Sequence, residues 1–221
     1  TTFPDFQPIK IEDKNFFEAF TCLFPNYSDF NFVCLFSWDI NDTASYSILN
    51  DNMVLRLEDY MTREHVYTFL GTNKTDQTIK TIIEFVNKEV AHPELFLIPE
   101  SVIASIKNPE EFVITEDHDN HDYILSVPML VEFKTNVFRG KKNLHNRFVR
   151  AYGEHTVTRE LDLTDPEVRE SIDEVTAEWG SSRNKNHDEV DSEFRAIKRS
   201  LKHAGHLSTK AFGVYVADKL V

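Results

Sequence analysis

The stretch DYILSVPMLVEFKTNVFRGKKNLHNRFVRAYG, residues 122–153, decides how this chain is divided. Its opening, Tyr123-Ile124-Leu125-Ser126-Val127, is rich in aromatic and branched residues and predicts a strand. Pro128 to Phe138 then leads into a run carrying Arg139, Lys141, Lys142, Arg147 and Arg150, with no acidic residue between them. Val137, Phe138, Leu144, Phe148 and Tyr152 are spaced to lay an apolar edge along a helix, with the cations splayed outward. The chain as a whole has 24 Lys+Arg against 37 Asp+Glu, a formal net charge of -13. Clustered like charges repel, so an acid-free cationic helix in such a protein calls for a partner of opposite sign.

A length of 221 residues allows one large domain or two small ones, and either can bury a core. The 18 Phe residues predict a core built on aromatic rings. The acidic balance argues against broad nucleic-acid binding, which needs a basic face, and so disfavours tRNA as a partner. It leaves room for one phosphate-bearing ligand or lipid headgroup at the basic run. No apolar run approaches the ~18 residues of a membrane helix, and the opening TTFPDF does not read as a signal peptide. Cys22 and Cys34 have apolar neighbours and no CxxC spacing. They predict buried thiols in a reducing cytoplasm.

Upstream of the basic run, Phe6 to Ile11 predicts a strand. Asp13 then caps a helix with Phe16, Phe17, Phe20, Leu23 and Phe24 on one face. Ser28 is expected to cap a second helix, with Phe30, Val33, Cys34 and Trp38 inward. Asn50-Asp51-Asn52 between Tyr46–Leu49 and Met53–Leu57 signals a hairpin, and His65–Leu70 a third strand ended by Gly71. Thr75 is expected to cap a helix burying Ile79, Ile82, Ile83, Val86 and Val90. Leu95–Ile98 reads as a short strand, Ser101–Ile106 as a brief helix. Phe112–Thr115 and Tyr123–Val127 read as a hairpin around EDHDNHD. Phe16, Phe20, Phe30, Phe36, Trp38 and Ile83 are expected in the core.

Downstream, His155–Leu163 predicts a strand. Thr164-Asp165-Pro166-Glu167 has capping-box spacing and a proline in the first turn, a strong helix start. Val168, Ile172, Val175 and Trp179 supply that helix's inner face. A further helix buries Val190, Phe194, Ile197 and Leu201, and Ser208 to Val221 is strand-like around a turn at Ala217-Asp218-Lys219. Strands and helices in this order predict an α/β fold (α+β in the sense of a mixed sheet).

The residues predicted to hold phosphate are Arg139, Lys141, Lys142, His145 and Arg147, since guanidinium and ammonium groups grip phosphate by charge-assisted bonds. The alternative is a solvated connecting helix. Glu116-Asp117-His118-Asp119-Asn120-His121-Asp122 has carboxylates and imidazoles in a row but lacks the glycine and distant Glu of a calcium loop. It reads as an exposed hairpin tip, and no metal site is expected. His203 and His206 flank Gly205 and suit the end of a helix. Glu174, Glu178 and Glu193 are of the type that serves as a general base, but no Ser-His-Asp or Cys-His set stands out and no catalytic residue is singled out.

Four stretches together resemble the catalytic region of bacterial phosphatidylglycerol lysyltransferases and its soluble stand-alone relatives. They are Ser28-Asp29-Phe30-Asn31-Phe32 leading to Leu35-Phe36-Ser37-Trp38; Asp122-Tyr123 with Phe138-Arg139-Gly140-Lys141-Lys142-Asn143-Leu144-His145-Asn146-Arg147-Phe148; Trp179 followed by Glu193-Phe194-Arg195-Ala196-Ile197; and Gly213-Val214-Tyr215-Val216. The second is the most specific, and it departs from the family pattern around Asn143 and Asn146.

This resemblance implies tandem acetyltransferase-like (GNAT-like) domains. Residues 1–136 would form the first, 137–153 a basic connecting helix, and 154–221 the start of a second, incomplete one. It implies transfer of an acyl or aminoacyl group to an amine or hydroxyl, with acyl-CoA or aminoacyl-tRNA as candidate donors. No Gly-rich pyrophosphate loop of the R/Q-x-x-G-x-G/A kind is present. A non-catalytic ligand-binding or interaction module that keeps the fold is therefore the alternative.

Overall fold

The computed structural model describes residues 1–59, 62–88, 93–133, 136–182 and 187–221. It divides into two compact units. Unit 1 comprises residues 1–121 and 185–207, and unit 2 comprises 122–184 and 208–221.

Unit 1 is built on an antiparallel sheet of β1 (Gln7–Pro8), β2 (Ser45–Leu49), β3 (Asn52–Glu58) and β4 (His65–Leu70), in that order. The β2–β3 hairpin turns through Asn50 and Asp51, both at positive φ (51° and 60°). That is the two-residue turn whose twist matches the strands, and Asn and Asp are the side chains that tolerate it. Helices α1 (Lys14–Thr21), α2 (Phe32–Trp38), α3 (Thr75–Val86) and the short α4 (Glu100–Ile103) accompany the sheet.

Phe17 is fully enclosed, its ring centroid 5.4 Å from Phe32 and 4.9 Å from Tyr46. It lies in one buried cluster with Phe30, Phe36, Met53, Leu55, Phe69 and Ile82. The expected core holds in part. Phe30 and Phe36 are buried, Phe20 and Ile83 are partly buried, and Phe16 and Trp38 remain 44% and 43% exposed. Phe16 is one position from Phe17 and so points about 100° away around the helix, leaving it to stack on the rim against Tyr46 at 5.5 Å. The thiols differ likewise: Cys22, at the end of α1, is exposed, and Cys34 is only partly covered. Val90 lies outside the described residues.

Capping also differs in detail. Asp13 stands at the N-cap position of α1 as expected, but its side chain accepts from the Lys10 amide (2.8 Å) instead of an amide of the helix. Ser28 begins a single 3-10 turn, and Asn31 caps α2 instead, its Oδ1 accepting from the amides of Val33 (2.9 Å) and Cys34 (3.4 Å). Thr75 is the first residue of α3, not its cap. The start of α3 is held from β3: the buried Asn52 donates to the Asn73 carbonyl (2.7 Å) and Thr78 Oγ1 (2.9 Å) and accepts from the Asn73 amide (3.0 Å). Gly71, at φ 134°, lets the backbone pass this amide, for a Cβ there would lie 2.2 Å from Asn52 Oδ1.

Three expected strands, Leu95–Ile98, Phe112–Thr115 and Tyr123–Val127, are not formed. Leu95–Ile98 makes one backbone bond toward β4, Phe96 N–H to the Tyr67 carbonyl (3.0 Å). The hairpin of 112–127 is replaced by 3-10 turns at Pro109–Glu111 and His118–Asn120, followed by helix α5 (Val127–Glu132). Asp117 accepts from the Asp119 amide (3.2 Å) and starts the second turn, and Pro128 sits in the first turn of α5, where its fixed φ suits a helix. Tyr123 and Ile124 are left 96% and 93% exposed.

Unit 2 contains α5, α6 (Arg139–Tyr152), α7 (Pro166–Ser181) and the antiparallel sheet β5 (Thr156–Leu161), β6 (Ala211–Val216), β7 (Lys219–Leu220). The expected helix start holds, but the cap of α7 is Asp165, one residue after the Thr164 of the capping-box spacing, and it accepts from the Glu167 amide (2.9 Å). Ala217 and Asp218, at φ 48° and 65°, turn β6 into β7. The expected mixed sheet is thus two antiparallel sheets, and the fold is α+β. The expected boundaries at residues 136 and 153 do not coincide with the division into units.

Helix α8 (His187–Lys202) and the short α9 (Ala204–Leu207) belong to unit 1 through the end of α2. Arg199 donates from Nε to the Phe36 carbonyl (2.7 Å), pairs with Asp42 (2.7 Å), and lies 4.3 Å from the centre of the Phe36 ring. Arg195 donates to the Ile40 carbonyl (2.7 Å) and to Asn41 Oδ1 (3.1 Å). His203 meets the same Phe36 ring edge-on at 5.1 Å, and burial, followed by the charge of Lys202, holds its pKa below the usual value.

Two substitutions test this packing. Phe17→Ala should cost about 3–5 kcal/mol in thermal or denaturant unfolding, and Phe16→Ala less than about 1.5 kcal/mol. Equal losses would mean that α1 faces the sheet differently. Arg199→Ala should cost about 2–3 kcal/mol and speed amide exchange along residues 190–202, and Arg199→Lys should not restore protection. Unchanged exchange would show that α8 is held by apolar contact alone.

Candidate functional site

The basic run forms α6 as predicted, and helical geometry sorts its charges. Arg139, Lys142, Asn143, Asn146, Arg147 and Arg150 recur at three- and four-residue steps and form one polar stripe. Lys141, Leu144, His145, Phe148 and Tyr152 recur in the same way on the opposite side. Of the predicted phosphate-binding residues, Arg139, Lys142 and Arg147 therefore share a face, joined by Arg150. Lys141 and His145 do not. All five predicted residues are exposed.

The two sides have different surroundings. His145 lies 5.5 Å from the Phe133 ring, and Phe148 lies 5.5 Å from Tyr152, so the second side is lined with rings. On the polar stripe, Arg150 Nε reaches back to the Asn146 carbonyl (3.4 Å). Phe138, buried, anchors the helix start and serves as N-cap without any side-chain hydrogen bond. The first turn carries no acidic residue. Arg139, Lys141 and Lys142 thus add to the positive end of the helix dipole rather than offsetting it, which is unfavourable by about 0.3–1 kcal/mol for each charge unless an anion binds there. The arrangement can hold a phosphate or carboxylate at the N-terminal turns of α6 and present a ring-lined side to an apolar group.

Immediately after α6 an open cavity is lined by Glu154, His155, Val157, Tyr215, Ala217 and Asp218. The Arg159 guanidinium stands 4.9 Å from the Tyr215 ring centre and 3.7 Å from Asp218. Its two carboxylates make this cavity a poor anion site. Of the general-base candidates, Glu178 accepts from Lys219 (2.7 Å), and that hydrogen bond holds the Lys219 ammonium above its usual pKa. Glu178 thereby ties β7 to α7. Glu174 is exposed on α7, and Glu193 is partly covered on α8. His203 and His206 stand at the end of α8 and in α9, as expected for residues closing a helix. Sequence reasoning missed Arg195 and Arg199 as residues that hold elements together; their one signal was that Arg195 falls inside the stretch Glu193–Ile197.

Two antiparallel sheets with flanking helices define an α+β protein with an exposed, acid-free cationic helix in its second unit. The family model for the C-terminal region of phosphatidylglycerol lysyltransferase matches residues 23–221, and the chain belongs to that family. The chain is also similar to the crystal structure of a conserved protein of unknown function from Bacteroides thetaiotaomicron VPI-5482. The TM-score is 0.78 at 21% identity, over 98% of this chain and 73% of that one, a likeness of fold. No curated protein matches the sequence. Among the described residues no helix is long and apolar enough to cross a membrane.

Gly140 tests whether α6 is shaped for stability or for a ligand. Nothing lies within 4 Å of where its Cβ would be. Gly140→Ala should therefore stabilise the helix by about 0.5–1 kcal/mol, read as slower amide exchange along α6. A loss of protection would mean that α6 is not helical at this position in solution.

Proposed function

We propose that this chain is a transferase-lineage protein of tandem GNAT-like build that moves an acyl or aminoacyl group to an amine or hydroxyl acceptor. In this reading the polar stripe of α6 holds the phosphate of donor or acceptor. Family membership supports the lineage. The observation that carries the phosphate role is the helix itself, four exposed cations on one stripe with no acidic residue among them, in a protein of net charge -13. Arg139, Lys142, Arg147 and Arg150 are the principal contacts, and Lys141 and His145, on the opposite side of the helix, add only to the local positive potential. With an aminoacyl-tRNA donor, the donor's ester bond breaks as a new ester or amide forms at the acceptor. The acceptor's proton ends on the released 3′-terminal hydroxyl.

A second reading has its own observation. The six glycines are scattered singly, so no Gly-rich backbone cradle for a CoA pyrophosphate is present. That favours aminoacyl-tRNA over acyl-CoA as donor, or a non-catalytic module that keeps the ligand site alone. Net charge weighs against tRNA binding in general, which leaves the local charge of α6 to provide it.

Binding of CoA, a glycerophosphoglycerol headgroup analogue and tRNA across a salt series tests the site. Arg139→Ala/Lys142→Ala should weaken binding roughly tenfold or more and lower the salt slope by about one for each phosphate-binding cation removed. Lys141→Ala should do less. Binding without salt dependence, or unchanged by the double substitution, leaves α6 a solvated connector. Label passing from radiolabelled lysyl-tRNA to phosphatidylglycerol vesicles supports transfer, and ligand binding without transfer selects the module.

A further inference from the structure

The geometry points to a divalent transition-metal site formed by Glu116, His118 and His121, at the close of the first segment of unit 1. The three side chains offer ligand atoms that all lie within 4.8 Å of one another. Glu116 Oε1 stands 3.7 Å from His118 Nδ1 and 3.4 Å from His121 Nε2. A tetrahedral zinc ion with ligand bonds of about 2.0–2.1 Å has neighbouring ligands roughly 3.4 Å apart. Both carboxylate–imidazole separations are already at or near that edge length. Only the two imidazoles need to close on each other, and their rings are 4.9 Å apart at 66°.

The local backbone explains why the ligands converge. A 3-10 turn over His118–Asn120 brings residues three apart onto one side, which puts His121 beside His118. Asp117 fixes that turn by accepting from the Asp119 amide (3.2 Å) and from Asn120 Nδ2 (2.7 Å). The turn is therefore closed before any ion arrives, which removes the backbone part of the ordering that opposes binding. Without a metal, the group amounts to exposed imidazole–carboxylate contacts, which add little to stability. That is a small return for two imidazoles directed at one oxygen.

Ligand chemistry selects the ion. Two imidazoles and one carboxylate suit zinc and its borderline neighbours, whereas calcium and magnesium prefer all-oxygen shells. Asp119 and Asp122 flank the ligands and add negative charge that favours any cation, but the imidazoles make the choice. Three protein ligands leave one tetrahedral position for water. The site uses none of the residues assigned to phosphate, so it stands or falls apart from the proposed transfer function.

The test titrates metal-free protein with Co2+, followed by its visible absorption, and with Zn2+, followed by competition against a chromophoric chelator. Wild type should bind one equivalent of Zn2+ that millimolar Ca2+ or Mg2+ does not displace. His118→Ala, His121→Ala and Glu116→Gln should each weaken binding roughly tenfold or more. His65→Ala, an exposed histidine elsewhere in unit 1, should leave it unchanged. Circular dichroism confirms folding, and these exposed positions should not disturb it. No stoichiometric binding, or losses in the three variants no larger than in His65→Ala, would overturn the site.

Discussion

The end of α2 is where unit 1 is tied together. A helix leaves its last carbonyls without partners and its negative end unmatched. Here Arg199 and Arg195 answer from α8, one donating to the Phe36 carbonyl and the other to that of Ile40, just past the helix. A lysine could supply the charge but not the fork. Arg199 uses Nε for the carbonyl, a terminal nitrogen for Asp42 and its planar face for the Phe36 ring. These contacts join residues up to 163 positions apart and hold α8 to the first segment of unit 1. Two of the stretches by which the chain resembles its family, around Phe36 and around Arg195, meet at this joint, so their pairing has a structural meaning independent of catalysis.

Local signals read well because the forces behind them are local. The three- and four-residue apolar spacing located α1, α3, α7 and α8 to within a few residues. Asn50-Asp51 announced its hairpin because few side chains tolerate positive φ at both positions. Facing and partnership read less well. Phe16 and Phe17 are equally apolar, and only the sheet decides which of them Tyr46 and Phe32 enclose. Tyr123–Val127 has the composition of a strand, but a strand also needs an edge to pair with, and composition does not supply one. The place of α8 was hidden for the same reason: its apolar stripe could serve either unit, and the arginines that decide between them look like ordinary surface charge.

The candidate site shows the same split. The excess of positive charge in residues 139–150 was legible because it is a matter of count. Its distribution was not, since a run of cations reads as one patch until helical geometry sends Lys141 and His145 to the far side from Arg139, Lys142 and Arg147. The loop at 116–121 is exposed, as its composition predicts. Compared with a calcium loop it lacked the required residues, and only the 3-10 turn reveals that Glu116, His118 and His121 converge.

Phosphate recognition by side chains differs physically from recognition by a glycine loop. A backbone cradle fixes its amides in space and reads the shape of a pyrophosphate, at the cost of needing residues without Cβ atoms. An exposed stripe of arginine and lysine reads charge first, with arginine adding a planar fork, and it tolerates ligands of different outline. Such a site is weak at high ionic strength, because exposed charges are screened over about 8–10 Å. It is also insulated from the rest of an acidic protein by the same screening, so the remaining carboxylates do not cancel α6 beyond that range. Net charge therefore governs the approach of a large polyanion, while the stripe governs the contact. Phosphate held on such a helix would be chosen by charge before shape, because the rings of Phe148 and Tyr152 lie on the opposite side of α6 from the stripe.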